Sequence, residues 1–359
     1  MTRQNLDGID YELLNHEPDE ALRSKIKALW ALADVTIANP EQRLSEIRAV
    51  AWQGDLLVAV SSCAAVREPN TQQLLWDTRA LVHPDYRANK LVSHLFDFLI
   101  ENLEQQWLSG RSPTVMGILL ALEAVQFQND GMPLSNTRVP PFPGSGKFFF
   151  DVGQMPNGAR VMVCYFAGAK FCWPGEVSPR QSAPVKISAA ALPSAFVYNN
   201  VDATLAEQLI QFWLDEGALS DREHCMSRLP QVAAVCRDGD AIAAVASIFP
   251  GKIEHLGAQL NVLRVFVGKR HRQRHLALGM VNTVFEGLNQ SFKERRQLPQ
   301  YPGMVFSIHN TAVGGWIDNA DAPRTGFCLA GFDAAGNQLR LRWFDGATQG
   351  DRKQSGAQG

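Results

Sequence analysis

The sequence lacks a strong net charge and any long apolar run. Its 34 basic and 36 acidic residues give a formal net charge of −2, so the chain as a whole is not suited to binding a polyanion. Contact with nucleic acid would need a local basic patch. No apolar stretch reaches membrane-spanning length, and residues 1–20 are polar and acidic, unlike a signal peptide. We therefore expect a cytoplasmic protein that does not contact membranes.

Cysteine is sparse, and its spacing matches no metal site. The six cysteines form no CxxC pair and no cysteine–histidine ligand pattern. Several lie in apolar stretches, which is typical of buried, reduced thiols in a cytosol. We expect no bound metal.

The length and composition favour two globular domains. The chain has 359 residues, of which 46% are hydrophobic and 19% are charged. Those fractions are ordinary for a globular protein, and the length is large for one domain and comfortable for two.

One stretch combines a strand, a basic turn and a helix. Residues 265–267 (Val-Phe-Val) are typical of a buried strand, and apolar residues recur at spacings of three and four from Leu276 to Leu288. The turn between them holds four cations and no acidic residue: Lys269, Arg270, Arg272 and Arg274. A helix start exposes unpaired N–H groups and favours an anion. The stretch therefore suits a polyphosphate.

The same arrangement occurs twice, at a constant separation of 185 residues. The matching pairs are Arg79 and Arg264, Arg87 and Arg272, and Leu91 and Leu276. At the same separation, residues 43–62 and 228–247 share nine identities in twenty positions, including the Gly-Asp of a predicted hairpin turn. Near the end of each half, Tyr165-Phe-Ala-Gly-Ala169 matches Trp343-Phe-Asp-Gly-Ala347. Internal duplication follows from these matches.

The duplication sets the predicted domain boundaries. The first domain spans residues 1–171, a Pro- and Ser-containing linker spans 172–195, and the second domain spans 196–350. Residues 351–359 are predicted to be a disordered tail. A long irregular loop is predicted over 129–147, and this loop and the linker are expected to border an acceptor cleft.

Each half reads as helix, antiparallel hairpin, strand, polar turn, helix, parallel strand and closing strands. This order resembles the GNAT superfamily of acyl-CoA-dependent N-acetyltransferases over nearly the whole chain, as two tandem copies. Residues 82–87 (Val-His-Pro-Asp-Tyr-Arg) are similar to the family's strand end and turn entry. The resemblance implies an α/β fold of two GNAT-like domains, each an α+β mixed, mostly antiparallel sheet flanked by helices.

The resemblance also implies acetyl-CoA as co-substrate, without a metal. The family's phosphate loop reads Gln/Arg-x-x-Gly-x-Gly/Ala, and its glycines allow close approach of the pyrophosphate. The first copy keeps neither small residue and has Val92 at the last position, whereas the second keeps Ala277. We therefore expect the second half to hold the CoA. The implied contacts there are Phe266, Val267, Arg272, Gln273, Arg274, His275, Leu276 and Ala277, and in the first half they are Val82, Arg87, Ala88 and Lys90.

Acetyl transfer to an amine needs a base for the amine, donors for the oxyanion and a proton source for the thiolate. Family members often use a carboxylate on or beside the central strand, which implies Asp77 and Glu123 as candidates. The second-half counterpart of Asp77 is Val262, so His309 is the titratable candidate there.

Two further positions bear on the chemistry. Asn310 matches an Asn that commonly ends the family's strand beside the thioester. Trp316 stands near the family's tyrosine acid and cannot protonate a thiolate, so water, His309 or the other half would have to substitute. The recurrence of Arg79 and Arg264 in both halves favours a structural partner for each arginine over a substrate contact.

Three functions are consistent with these features. The leading one is an enzyme that moves an acetyl group from acetyl-CoA to a primary amine on a small molecule or on an aminated nucleobase in DNA. The alternative is a non-catalytic duplicated scaffold that binds a nucleotide or partner, which the missing loop glycines and tyrosine favour. A DNA-binding module ranks last because the overall charge is close to neutral.

Overall fold

The computed structural model describes residues 2–87, 91–112, 114–122, 130–136, 149–155, 158–169, 192–272, 276–294, 301–309 and 326–357. These residues form two compact units. The first unit contains the described residues up to 169, except 130–134. The second unit contains 130–134 and everything described from 192 onward.

The first unit is built on one mixed sheet. Its strands are β1 (Thr2–Leu6), β2 (Ile9–Leu13), β3 (Ile47–Gln53), β4 (Leu56–Arg67), β5 (Leu74–Val82), β6 (Gly117–Leu122), β7 (Ser135–Asn136), β8 (Phe149–Gln154) and β9 (Arg160–Tyr165). They are ordered β1-β2-β3-β4-β5-β6-β9-β8-β7, and only β5 and β6 pair in parallel. The helices are α1 (Glu20–Leu32), α2 (Pro40–Ser45) and α3 (Leu91–Leu108).

The second unit repeats this plan. Its strands are β10 (Ser194–Phe196), β11 (Val232–Asp238), β12 (Ala241–Ile253), β13 (Ala258–Val267), β14 (Gly303–Ile308), β15 (Cys328–Phe332) and β16 (Gln338–Trp343). They are ordered β10-β11-β12-β13-β14-β16-β15, with β13 and β14 parallel. The helices are α4 (Ala203–Asp215), α5 (Arg222–Arg228), α6 (Leu276–Lys293) and α7 (Gln349–Ala357).

The predicted duplication is seen in the central elements of the two units. Strands β3 and β11, and helices α3 and α6, have identical lengths at a separation of 185 residues. The register repeats as well, because Ser62 lies opposite Arg79 and Ser247 lies opposite Arg264. The fold-class prediction, an α/β protein with two mixed sheets flanked by helices, is confirmed.

Alternation along the second unit's strands places helices on both faces of its sheet. Ala234 and Ala244 pack with α6, whereas the adjacent Val235 and Val245 pack with Ile210 of α4. Small residues toward α6 bring that helix close to the sheet. In the first unit, α1 likewise packs its Trp30 face on the sheet.

Local chemistry explains where elements begin and turn. Asp19 and Asp202 cap α1 and α4 by accepting the N–H groups of Leu22 and Leu205 at 2.8 and 2.7 Å. The β3–β4 and β11–β12 hairpins both turn at a glycine with positive φ, +57° at position 54 and +62° at position 239.

The recurrent segment after the last strand of each unit is tied to the long helix. Glu104 of α3 accepts the N–H of Ala167 at 2.9 Å. Asn289 of α6 accepts the N–H of Asp345 at 2.8 Å, and its amide donates to the Asp345 carboxylate at 3.0 Å. This shared anchor gives a physical reason for the match between residues 165–169 and 343–347.

Several predicted boundaries are wrong. Residues 194–195, assigned to the linker, belong to β10, which pairs with β11. Residues 351–357, predicted to be disordered, lie in α7, where Arg352 is buried and Ser355 Oγ accepts the Gln259 N–H at 3.2 Å. Pairing and packing with distant residues order both segments, and neither kind of contact can be read from the local sequence.

The predicted first domain also loses residues 130–134 to the second unit. Leu134 donates its N–H to Ala347 O at 3.0 Å and is fully buried in the second unit's core. Asp130 pairs with Lys353 of α7 at 2.6 Å. The hairpin of β1 and β2 was not predicted either, because its first strand is polar and exposed except at Leu6.

The five cysteines among the described residues are buried, as predicted, and form no disulfide; Cys172 lies outside those residues. Within the same residues, no group of three or more His, Cys, Asp or Glu side chains is placed to hold a metal ion. None of the helices in the described ranges is long and apolar enough to cross a membrane.

Candidate active site

The two parallel strands of the second unit part soon after they meet. Only Asn261 with Met304, and Val262 with Val305, are paired between β13 and β14. Beyond them, β13 continues to Val267 and β14 to Ile308. The facing edges of these continuations therefore carry backbone N–H and C=O groups that do not bond each other. The first unit parts at the matching place, after Asp77 and Leu119.

A cavity of 540 Å³ lies at the opening in the second unit. It reaches from the α4–α5 face, at Trp213 and Arg228, to the start of α6, at Ala277 and Val281. Most of its lining is apolar. Its polar lining residues are Arg228, Ser247, Arg264, Ser307 and His309.

Contacts with α4 hold the strand end beside this cavity. Phe266 packs edge-on against Phe212, with ring centroids 5.8 Å apart. Glu216, just after α4, accepts the N–H of Lys269 at 2.9 Å, and Gly268 donates to Ala243 O at 2.9 Å. A side chain at Gly268 would come within 3.2 Å of both Phe212 and Glu216, so glycine permits this close approach.

The turn after β13 presents free positive charge. Lys269, Arg270 and Arg272 are exposed. None of the three has a carboxylate within 4.0 Å among the residues that the structure describes; the Arg272 side chain donates only to Val267 O, at 3.4 Å. The first-unit counterparts of Lys269 and Arg270 are Pro84 and Asp85. The second turn is thus the more attractive to an anion.

Asp77 occupies the opening of the first unit. Its Oδ2 lies 3.3 Å from Arg79 Nη2, and its Oδ1 is buried without a hydrogen-bond partner in the described part of the chain. Burial raises the pKa of Asp77, and the neighbouring Arg79 only partly opposes this. A partly desolvated carboxylate of this kind could accept a proton, and the second unit has the apolar Val262 instead.

The structure brings three of the predicted site residues together. Phe266, Ala277 and His309 all line the cavity of the second unit. Leu276 instead packs into the core, and Val267 packs against its edge. In the first unit, Val82 is buried and Arg87 donates to Ala33 O at 3.4 Å. The remaining predicted residues lie outside the described ranges: Glu123, Asn310, Gln273, Arg274, His275, Ala88 and Lys90.

Sequence reasoning missed Arg228, Ser247, Ser307 and Trp213 as cavity residues. Trp213 is buried in a core cluster and also lines the cavity. Arg228 and Ser247 were visible as identities with Arg43 and Ser62. The sequence signal that could have identified these cavity residues was the loss of two carboxylates from the second half, where Gln231 and Val262 stand in place of Glu46 and Asp77.

Comparison with known proteins finds similarity at the level of structure. No family model and no curated protein matches the sequence. A GNAT-family acetyltransferase from Streptococcus pneumoniae is 12% identical, with 43% of this chain and 99% of that chain covered and a TM-score of 0.28. The loading GNATL domain of CurA from Lyngbya majuscula is 13% identical, with 44% and 97% covered and a TM-score of 0.29.

A longer structure matches along most of the chain. A GCN5-related N-acetyltransferase from Sphaerobacter thermophilus is 15% identical, with 95% of this chain and 97% of that chain covered and a TM-score of 0.24. Each unit has one parallel strand pair in an otherwise antiparallel sheet flanked by helices, which is the fold that the GNAT resemblance implies.

Proposed function

We propose that the second unit transfers an acetyl group from acetyl-CoA to a primary amine within the cavity between β13 and β14. The observation that carries this proposal is the parting of these two parallel strands over a cavity that reaches the start of α6. Such a gap connects the two faces of the sheet. Donor and acceptor can therefore enter from opposite faces and meet between the strands.

The residues present fit a CoA thioester. The unpaired strand edges offer N–H and C=O groups to the amides of an extended pantetheine arm. Ala277 leaves room at the start of α6, where the first unit has Val92. Lys269, Arg270 and Arg272 supply exposed cations for the phosphates. The predicted contacts Gln273, Arg274 and His275 would complete this turn.

Bound acetyl-CoA supplies an activated acyl group, and the cavity residues would manage the protons. His309, which lines the cavity, would take a proton from the attacking amine as the amine nitrogen bonds the carbonyl carbon and the C–S bond breaks. N–H groups on the open strand edge would donate to the oxygen on which charge develops. Water or His309 would return a proton to the departing thiolate.

The acceptor in this proposal is a small molecule or an aminated nucleobase in DNA. The second candidate function is a duplicated scaffold that binds a nucleotide or partner without turnover. The observation favouring it is the sequence of the phosphate loops, in which neither copy has a glycine. Under the transferase function, Asp77 and Glu123 remain candidate proton acceptors in the first unit.

Native mass spectrometry during titration with acetyl-CoA tests the proposal. Ala277→Trp would fill the second unit's opening, and Val92→Trp is its matched control in the first unit. We expect one acetyl-CoA per chain, lost only in Ala277→Trp, and acetyl-CoA consumption in the presence of a suitable amine. Loss only in Val92→Trp would move the site to the first unit. No binding by the unaltered protein would refute the transferase function.

A further inference from the structure

Two arginines recur in both units, but their surroundings differ in charge. In the first unit, Arg43 lies 3.1 Å from Glu46 and also donates to Ser62 Oγ at 3.0 Å. Arg79 lies 3.3 Å from Asp77. Each guanidinium therefore has a carboxylate beside it, and the pair is neutralised.

In the second unit, both carboxylates have been replaced. Arg228 donates to the neutral side chain of Gln231 at 2.9 Å, and Arg264 stacks on the ring of Phe249, 4.0 Å from its centroid. Across the described ranges, no carboxylate lies within 4.0 Å of either arginine. Ser247, the counterpart of Ser62, loses the arginine donor that Ser62 has. Two positive charges and a hydroxyl thus remain available.

All three groups line the cavity described above. Its seventeen lining residues, all of them described, include no Asp or Glu, so nothing within the lining offsets the two cations. The pKa of Arg264 is lowered, first by burial and then by the positive charge of Arg228. The two guanidinium groups therefore repel each other, and a bound anion would remove that repulsion.

We propose that Arg228, Arg264 and Ser247 bind an oxyanion, and that the second unit's acceptor is a small amine that also bears a carboxylate or a phosphate monoester. Planar guanidinium groups match the oxygens of both anions, and the serine hydroxyl adds a third donor. The anion would lie toward the α4–α5 face and the thioester toward the start of α6. The amine would then lie between them, near His309. This assignment of the acceptor rests on the transferase proposal, whereas binding of the oxyanion does not.

Matched amine pairs test the acceptor assignment. β-Alanine is compared with propylamine, and O-phosphoethanolamine with ethanolamine, by acetyl-CoA consumption. Inorganic phosphate binding is measured separately by calorimetry, and acetyl-CoA binding by native mass spectrometry. The variants are Arg264→Gln, which removes one cation, and Gln231→Glu, which keeps both arginines and adds the carboxylate that the first unit has. Arg79→Gln is the matched control for phosphate binding.

We expect one anionic amine to have a KM at least about tenfold below that of its uncharged partner, the effect of a charge-assisted hydrogen bond. Arg264→Gln and Gln231→Glu should abolish that preference and weaken phosphate binding by a similar factor. Arg79→Gln should leave phosphate binding unchanged. Neither Arg264→Gln nor Gln231→Glu should change the affinity for acetyl-CoA. The pair that shows the preference identifies the anion as carboxylate or phosphate.

The contrary outcomes are distinct. Equal KM values within both pairs, in a protein that acetylates amines, would overturn the acceptor assignment and leave the transferase function intact. Acetylation of an aminated DNA oligonucleotide without preference in either pair would do the same. Weaker acetyl-CoA binding in Arg264→Gln would mean that the arginines hold the donor. If the unaltered protein binds phosphate but no acetyl-CoA, and Arg264→Gln loses the phosphate binding, the oxyanion site is supported and the transferase function is refuted.

Discussion

Asp97 of α3 carries a charge that the first unit does not compensate. Its Oδ1 is buried without a hydrogen-bond partner among the described residues. Burial, and then the negative charge of Glu101 one turn later, raise the pKa of Asp97 from 3.8 to about 6. The second unit has Asn282 at the matching position and retains the acid as Glu286. Asp97→Asn therefore gives the first unit the arrangement that the second unit already has.

The pH dependence of this substitution follows from the direction of the pKa shift. Between pH 3.8 and about 6, the folded state holds a proton on Asp97 that the unfolded chain has released. The contribution of Asp97 to the stability of the unaltered protein is thus fully present below pH 3.8 and is lost as the pH rises from 3.8 through about 6. Roughly two pKa units correspond to ~3 kcal/mol, and screening at this partly exposed side chain reduces that to ~1 kcal/mol.

Hydrogen exchange of amides in α3, followed by mass spectrometry over a urea series, measures this effect locally. At pH 7.5, Asp97→Asn should raise the free energy of opening by ~1 kcal/mol, and at pH 4.5 by much less. Asn282→Asp in α6 is the matched reverse change and should lower stability at pH 7.5 only. An equal gain at both pH values would refute the reasoning, since it would point to helix propensity and not to the charge.

Two further predictions concern packing and buried charge. Gly287→Ala should destabilise the second unit by ~1–3 kcal/mol because the new methyl group would meet the Phe196 ring at 2.5 Å. Gly279→Ala lies on the same helix in open space and should stabilise the unit by ~0.5–1 kcal/mol. Hydrogen exchange of α6 amides measures both changes, and equal effects of the two substitutions would contradict the packing argument. Arg160→Met should cost the first unit ~3–5 kcal/mol because it leaves the fully buried Asp151 carboxylate, 2.8 Å from Arg160 Nε, without its cation. Urea unfolding followed by exchange of β9 amides measures this loss, and a cost below ~1 kcal/mol would show that the pair is not needed for stability.

The fold was largely predictable because its signals are local. Gly54 and Gly239 mark hairpin turns, and the apolar periodicity of residues 276–288 marks a helix. The duplication then doubled each signal. The family resemblance implied closing strands in each half, and β8 with β9 and β15 with β16 form antiparallel pairs there.

The missed features depend on residues far apart in the chain. The parting of β13 and β14 leaves no trace in either strand's own sequence, since both continue as regular strands beyond Val262 and Val305. Arg228 and Arg264 gain their significance from the absence of two carboxylates at other positions, which only the comparison of the two units reveals. The polar residues of α7 likewise gave no indication of the tertiary contacts that order them.

The short segment 130–134 means that the repeats in the sequence are not separable modules. A gene fragment that encodes only the second repeat would lack Leu134, whose side chain fills part of that unit's core, and Asp130, which pairs with Lys353. It would also leave the N–H groups of Gln349 and Gly350 without the carbonyl acceptors of Met132 and Asp130, each at 2.8 Å. A fragment designed to fold as the second unit therefore has to include residues 130–134. The second unit is completed by residues that are translated well before its own repeat begins.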